Sequence, residues 1–327
     1  MKKCSLVSML LCVSVSIIAL YGCGKEELRE TGFNPEPIVG ISTESIKEDD
    51  AVSAISESTV EDSEKDSKEE ENFEESEGEY IVDVSLDPSW KYADFSVINS
   101  GVAKLYRAKQ NRRDVVIGVN AGHGTKGGDK EKTYCHPDKS PKVTGGSTAQ
   151  GAIKATAVSS GMTFSDGTPE AEVTLKTAQI LRDKLLAEGY DVLMLRDGVD
   201  VQLDNIARTV ICNNTSACMI SLHWDGDGLD YDKGCFYIST PEGLREMEPV
   251  SDHWEDHHKL GEALVEGLRE QGAKIYQDGT MPVDLTQTSY SCIPSIDVEL
   301  GNQSSAHDEE TLSQLADGLV KGVKKLY

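Results

Sequence analysis

Hydrophobic and polar residues alternate with two different periods from about residue 113 onward. Short apolar runs of strand length are separated by longer stretches in which apolar residues recur every three or four positions, as on one face of a helix. The predicted strands are DVVIGVNA, DVLMLR, CMISLH, GCFYIST and SIDVEL. The predicted helices are PEAEVTLKTAQILRDKLLAEGY, LDNIARTVICNN, HHKLGEALVEGLREQG and EETLSQLADGLVKGVKKLY. This alternation predicts an α/β domain with a mainly parallel twisted sheet flanked by helices.

The first 23 residues have the plan of a secretory signal peptide. Two lysines precede an apolar run, which ends in small residues before a cysteine. The stretch Leu20-Tyr21-Gly22-Cys23 resembles the processing box of bacterial lipoproteins, which predicts that Cys23 becomes a lipid-bearing N-terminus. An uncleaved membrane helix is the alternative, although the apolar stretch is short and contains serines and cysteines.

The chain that follows the signal is strongly acidic. Residues 48–79 contain fifteen Asp or Glu against two lysines, so this block supplies −13 of the formal net charge of −25. Such a composition buries too little apolar surface to offset the entropy lost on ordering. We therefore expect a disordered tether at 24–95, a connecting segment at 96–112 and the folded domain at 113–327. The acidity argues against a nucleic-acid partner.

Titratable side chains follow the ends of several predicted strands. His123 lies in NAGHG, directly after the first strand, while His223 and Glu299 end two later strands. Ligands of open α/β sheets bind beyond the carboxyl ends of the strands, so these residues are expected at one edge. Glu170, at the start of the first helix, points to the same edge.

Two imidazoles and one carboxylate are the ligand set of a catalytic zinc site, which keeps its fourth position open. A further carboxylate can then take the proton of a water molecule. His123, Glu170 and His223 fit the ligand roles, and Glu299 fits the base. Each has an ordinary structural alternative: a turn histidine, a helix-start acid, a sheet histidine and a surface acid. Glu172, two residues beyond Glu170, competes for the carboxylate position.

Four stretches, in this order, resemble the zinc-dependent N-acetylmuramoyl-L-alanine amidases of bacterial cell-wall turnover. They are VVIGVNAGHG, EAEVTLKTAQILRDKLLAEGYDVLMLRDGVD, LDNIARTVICNNTSACMISLHWDG and IPSIDVELGNQSS. The resemblance implies one zinc ion per chain at the carboxyl ends of the strands, held by His123, Glu170 and His223, with Glu299 as the catalytic glutamate. It selects Glu170 over Glu172. It also places Arg196 and Arg208 at recurrent arginines of the family, as candidate substrate-binding residues.

The activity that the resemblance implies is hydrolysis of the amide between the lactyl group of N-acetylmuramic acid and L-alanine in peptidoglycan. With a lipid on Cys23, we expect an exported protein that is anchored to the outer face of the cytoplasmic membrane and faces the wall. A non-catalytic wall-binding lipoprotein of the same fold is one alternative. Another zinc peptidoglycan hydrolase, a peptidase or a deacetylase, is the other.

Two features depart from the family pattern. The link at 124–169 is longer than usual, which predicts a lid or a substrate wall. Trp224 and Asp225 replace the small residues and asparagine that are more common there, which predicts altered substrate contacts.

Two further motifs suggest metal sites at first sight. HWEDH at 253–257 places two histidines four residues apart, but it lacks a glutamate after the first and a third ligand nearby, which favours a polar helix start. The acidic stretch 225–234 does not have the oxygen spacing of an EF-hand loop, which favours a solvated turn. Five cysteines lie in the folded part, and we expect no disulfide among them: Cys135, Cys212, Cys218, Cys235 and Cys292.

Overall fold

A computed structural model describes residues 80–327 of the protein. Its strands are β1 Ile81–Val84, β2 Ala103–Tyr106, β3 Val116–Ala121, β4 Lys132–Tyr134, β5 Lys154–Thr156, β6 Asp191–Met194, β7 Cys218–Asp225, β8 Cys235–Ser239, β9 Ile275–Pro282 and β10 Ser295–Asn302. Its α-helices are α1 Glu170–Ala187, α2 Asn205–Thr215, α3 Val250–Glu270, α4 Thr286–Tyr290 and α5 Glu309–Val323.

Eight strands form one sheet in the order β1-β2-β6-β3-β7-β10-β8-β9. The four central strands, β6, β3, β7 and β10, run parallel, whereas β1, β2 and β8 join the sheet through antiparallel pairs. The predicted fold class, a mainly parallel sheet flanked by helices, is confirmed. The central strands are buried on both faces, which explains why their sequences read as continuous apolar runs.

Helices cover both faces of the sheet. On one face, leucines of α1, α3 and α5 pack against alternate residues of β3, β7 and β10, such as Val119, Ile220 and Val298. On the other face, α2 packs against Met219 and Leu193. Burying each such side chain stabilises the fold by about 1.5–3 kcal/mol. Among the helices of the described chain, none combines the length and the apolar character that a membrane crossing requires.

The N-terminal boundary of the folded domain lies earlier than predicted. Residues 81–84 and 103–106 form an antiparallel pair, and the second of these strands continues the sheet against β6. Part of the predicted tether at 24–95 and of the connection at 96–112 therefore belongs to the sheet. The strand at 81–84 is short, mostly exposed and next to the acidic block, so composition alone hid it. The remaining chain divisions stay predictions, and Cys23 lies outside the described residues.

Candidate metal and catalytic site

The turn after β3 explains the histidine between two glycines. His123 adopts the left-handed region, with φ of 66°, so the chain reverses sharply where the strand ends. A Cβ on Gly122 would fall on the imidazole ring of His223, which lies on the neighbouring strand β7. Glycine at 122 therefore allows the two histidine rings to meet, with centroids 4.7 Å apart.

Two buried arginines hold this turn in place. Arg208, on α2, donates hydrogen bonds to the carbonyls of His123 at 2.7 Å and Ala121 at 3.1 Å. Arg196, just after β6, donates to the carbonyls of Ala121 at 3.2 Å and Gly122 at 2.9 Å. The two guanidiniums thus replace the backbone hydrogen bonds that the turn cannot make within the sheet.

The predicted substrate-binding role of Arg196 and Arg208 is wrong. Both side chains are buried, at 1% and 0% exposure, and their donors point to groups of this domain. Burial lowers the pKa of Arg196 to about 10 and that of Arg208 to about 9. A residue can recur in a family because it touches substrate or because it shapes a loop. The hydrogen bonds of Arg196 and Arg208 to the turn that carries His123 give them the second role.

His123, Glu170 and His223 converge at the carboxyl edge of the sheet. Oε1 of Glu170 lies 2.9 Å from Nε2 of His123 and 3.1 Å from Nδ1 of His223, and the two nitrogens are 3.0 Å apart. In a tetrahedral zinc site, ligand atoms about 2.05 Å from the metal lie roughly 3.3 Å from one another. Glu172 is exposed and outside this group. Within residues 80–327, these three form the one group suited to hold a metal ion.

The site favours a cation. Burial alone would raise the pKa of Glu170, yet hydrogen bonds and charge from His123 and His223 hold it well below its usual range. The pKa of His223 is raised to about 9, because the carboxylate of Glu170 outweighs the effect of burial. A proton or a metal ion shared by these three side chains offsets the negative charge of Glu170 in the same way.

Backbone groups fix the orientation of two of these side chains. Nδ1 of His123 donates to the carbonyl of Ser159 at 2.8 Å, which leaves the lone pair of Nε2 facing the cluster. The carboxylate of Glu170 accepts from the backbone N–H groups of Met162 at 2.8 Å and Trp224 at 3.0 Å. Backbone groups therefore orient both predicted ligands.

Two of these backbone partners, Ser159 and Met162, belong to the long link at 124–169. Between them, Gly161 has φ of 87°, and a Cβ there would lie 2.8 Å from the ring of His123. Elsewhere the link is fastened by Asp284, which is fully buried and lies 3.0 Å from Nε2 of His136. These contacts tie the link to the cluster and to the domain, and its role as a lid or a substrate wall stays a prediction.

Glu299 lies beside the cluster on β10. It pairs with His223 in the parallel register of β10 and β7, so both side chains leave the sheet on the same face. Oε2 of Glu299 is buried and has no hydrogen-bond partner within residues 80–327. Burial raises the pKa of Glu299 to about 8, against the opposing effect of His223. The predicted base is therefore adjacent to the predicted ligands and is not an exposed acid.

Asp297 is a site residue that the sequence analysis missed. It precedes Glu299 by two residues on the same face of β10, and its Oδ2 lies 3.7 Å from Nε2 of His223. Its carboxyl is almost fully buried, and burial raises its pKa. The signal in the sequence is an acidic residue inside an apolar strand, spaced two positions from the predicted base.

A lysine of the acidic turn at 225–234 balances part of the turn's own negative charge. Lys233 is buried at 7% exposure and pairs with Asp225 and with Asp227, the latter at 3.4 Å. The predicted solvated turn is confirmed at the exposed positions 226, 228, 230 and 231, whereas Lys233 is buried, with its ammonium where a bound cation would balance the aspartates. The indole of Trp224 packs into the core, so it does not present a surface for substrate contacts.

The histidines of HWEDH lie within α3, which begins at residue 250. His257 is fully buried and accepts a hydrogen bond from the backbone N–H of Ser295 at 3.0 Å. The predicted polar helix start is wrong for this residue, because its ring packs under β10. His258 instead contacts the hydroxyl of Tyr237 through Nδ1, at 2.6 Å.

Comparison with known proteins places this geometry in context. Residues 117–325 match the family described as N-acetylmuramoyl-L-alanine amidase. No curated protein matches the chain in sequence. The crystal structure of the N-acetylmuramyl-L-alanine amidase Ami1 from Mycobacterium smegmatis is 20% identical, covers 66% of this chain and 98% of its own, and gives a TM-score of 0.54. The apo form of Ami1 from Mycobacterium abscessus is 21% identical, covers 65% and 98%, and gives 0.52. At these identities the likeness concerns the fold.

Proposed function

Because the chain belongs to the N-acetylmuramoyl-L-alanine amidase family, we propose that it hydrolyses the amide between the lactyl group of N-acetylmuramic acid and L-alanine in peptidoglycan. The proposal includes one zinc ion, with His123, Glu170 and His223 as its ligands. The observation that carries it is the convergence of three ligand atoms at 2.9–3.1 Å, directly beside Glu299.

The donor set suits zinc. Two neutral imidazoles and one carboxylate leave the ion a net positive charge and a fourth position for water or substrate. Without a shared cation, the lone pairs of two nitrogens and one carboxylate oxygen would face one another at about 3 Å, which is electrostatically unfavourable. When bound, zinc supplies Lewis-acid polarisation of the amide carbonyl and lowers the pKa of water.

Glu299 performs the proton transfers in this proposal. Its unpartnered Oε2 accepts a proton from the attacking water as the oxygen bonds to the lactyl carbonyl carbon. When the carbon–nitrogen bond breaks, the same atom gives that proton to the nitrogen of L-alanine. The products are a muramic acid with a free lactyl carboxylate and a stem peptide with a free amino terminus. Glu299 is half-buried, and its Oε2 is enclosed, which limits the access of bulk water to this proton.

We further propose that the enzyme works from the membrane. Cys23, outside the described residues, would carry the lipid, and the acidic segment after it would let the catalytic domain reach peptidoglycan from the outer face of the cytoplasmic membrane. The support for this part is the sequence of the first 79 residues alone.

Product analysis tests the proposed reaction. The full-length protein, purified in detergent, is incubated with purified peptidoglycan, and the soluble products are analysed by mass spectrometry. An amidase releases stem peptides that begin with free L-alanine. Fragments with L-alanine still attached to muramic acid would indicate a peptidase, and acetate release with intact stems a deacetylase. Wall binding without any release would contradict catalysis altogether.

A further inference from the structure

The two imidazoles of the cluster are held differently on the side away from the metal position. His123 directs Nδ1 to a backbone carbonyl, that of Ser159, and presents Nε2 to the cluster. His223 is reversed: it presents Nδ1 to the cluster, and its Nε2 faces Oδ2 of Asp297 at 3.7 Å. A carbonyl at hydrogen-bond distance therefore lies behind the ring of His123, and a carboxylate at the longer distance of an ion pair lies behind the ring of His223.

The carboxylate of Asp297 is only partly compensated, since burial raises its pKa against the opposing effects of His223, the Ser221 hydroxyl and His123. Its side chain is 6% exposed, and within the described part of the chain no lysine or arginine pairs with it. Oδ1 has no hydrogen-bond partner among residues 80–327. A buried carboxylate without full compensation destabilises a fold, so its presence on this face calls for a function.

Polar side chains that hydrogen-bond to one another lie next to Asp297 on the same face of the sheet. Ser221 is the register partner of Asp297 on β7. Its hydroxyl accepts a hydrogen bond from Asn120 at 3.1 Å and a longer one from Gln287 at 3.4 Å, while Asn120 in turn accepts from Arg208. The row of side chains beneath the cluster is thus polar and connected, in contrast to the apolar opposite face of the same strands.

We propose that Asp297 is the positioning residue for His223, an inference that rests on the proposed zinc function. Its carboxylate attracts the Nε2–H of the ring, which fixes the tautomer and leaves the Nδ1 lone pair directed at the metal position. A carboxylate behind a ligating imidazole also makes the ligand nitrogen more basic. Asp297 touches neither substrate nor metal in this role and acts through the ring of His223.

Zinc affinity of the full-length protein tests this role, measured by competition with a chromophoric chelator. Asp297→Asn keeps the size of the side chain and removes its charge, and we expect zinc binding to weaken by about 10–100-fold. Thermal melting of the metal-free variant checks that it is folded at the temperature of the titration. A merely structural role for Asp297 predicts unchanged zinc affinity in the folded variant.

Asp191, on β6, offers a matched control. It is another fully buried carboxylate, and its Oδ2 lies 2.6 Å from Nη2 of Arg112. Asp191→Asn should lower the melting temperature and leave zinc affinity unchanged. Wild-type affinity in a folded Asp297→Asn protein would overturn the positioning role alone. Absence of zinc binding in the wild type would overturn the proposed function and this inference with it. If neither Asp297→Asn nor Asp297→Leu folds, Asp297 is structural and the proposal is wrong.

Discussion

Oε1 of Glu170 lies 2.9 Å from Nε2 of His123, although the long link at 124–169 separates the two residues in sequence. The link itself supplies the backbone groups that hold both side chains, through Ser159 and Met162. The two proposed ligands and the link therefore form one structural unit. A shortened link that lacks residue 159 is expected to lose zinc as well as any substrate contact.

Two glutamates near the start of α1 are predicted to behave differently. Glu170→Ala should lose most of the bound zinc, because it removes the carboxylate at the centre of the cluster. Glu172→Ala is the matched control, since Glu172 is exposed on the same helical turn, and it should retain one zinc per chain. Metal analysis of both purified variants checks this. Zinc loss in the Glu172 variant alone would move the ligand assignment.

Arg208→Lys should destabilise the domain and weaken zinc binding. A lysine cannot reproduce the fork that serves the carbonyls of His123 and Ala121, so buried acceptors lose their partners, at a cost of roughly 2–4 kcal/mol. Arg269→Lys, at an exposed arginine of α3 whose ion pair with Glu266 a lysine can keep, should change the free energy of unfolding by less than about 0.5 kcal/mol. Chemical denaturation measures both. If Arg208→Lys raised only the KM for peptidoglycan, with stability and zinc intact, a substrate-binding role would be restored.

His257 is predicted to make stability depend on pH. Burial lowers its pKa from 6.5 to about 3, so between these values the unfolded chain binds a proton that the folded protein does not. The free energy of unfolding therefore falls as the pH drops from 6.5 towards 3, by up to about 1.4 kcal/mol per unit from this group. His257→Asn keeps an acceptor for the N–H of Ser295 without titrating.

Denaturation of both proteins at pH 6.5 and pH 5, with a chelator present to remove metal effects, measures this contribution. Between these two values the wild type should lose about 1.6 kcal/mol more than His257→Asn. Equal losses in the two proteins would show that His257 contributes nothing to the pH dependence.

Cys23 is predicted to carry the lipid. In a bacterium that produces the protein, Cys23→Ala should abolish labelling by a fatty-acid analogue, because the thiol that accepts the lipid is gone. Cys12→Ala serves as the control and should keep the label, since Cys12 lies within the segment that processing removes. Unchanged labelling of the Cys23 variant would exclude this attachment site.

Residues that follow the predicted strands could be placed together from the sequence. A parallel sheet brings the carboxyl ends of its strands to one edge, whatever the length and conformation of the loops. His123, His223 and Glu299 could therefore be placed together from the apolar runs that precede them. Glu170 needed the family pattern to separate it from Glu172. In the structure burial separates them, since one is enclosed and the other exposed.

Other features depended on contacts between distant parts of the chain. The carbonyl of Ser159 leaves no mark in sequence, because any residue can supply a carbonyl. An arginine at position 196 or 208 could support a loop or bind substrate, and the sequence does not distinguish the two roles. The burial of both side chains in the structure does. Lys233 and His257 look like surface residues until the strands beside them are in place. Short strands such as 81–84 are hidden by the acidic composition around them.

The central claim is that Glu299 transfers protons during hydrolysis. The variant Glu299→Gln distinguishes this catalytic role from a purely structural one. The amide can neither accept the proton of water nor deliver one to the leaving nitrogen, so the release of stem peptides from purified peptidoglycan should fall at least about 10²-fold. Zinc content should remain near one per chain, because Glu299 is not among the three ligands. The decisive measurement is therefore the rate of release of peptides with free L-alanine amino termini, taken together with bound zinc on the same sample. Lost hydrolysis with retained zinc is the predicted result, and a normal rate of release by Glu299→Gln would contradict the mechanism.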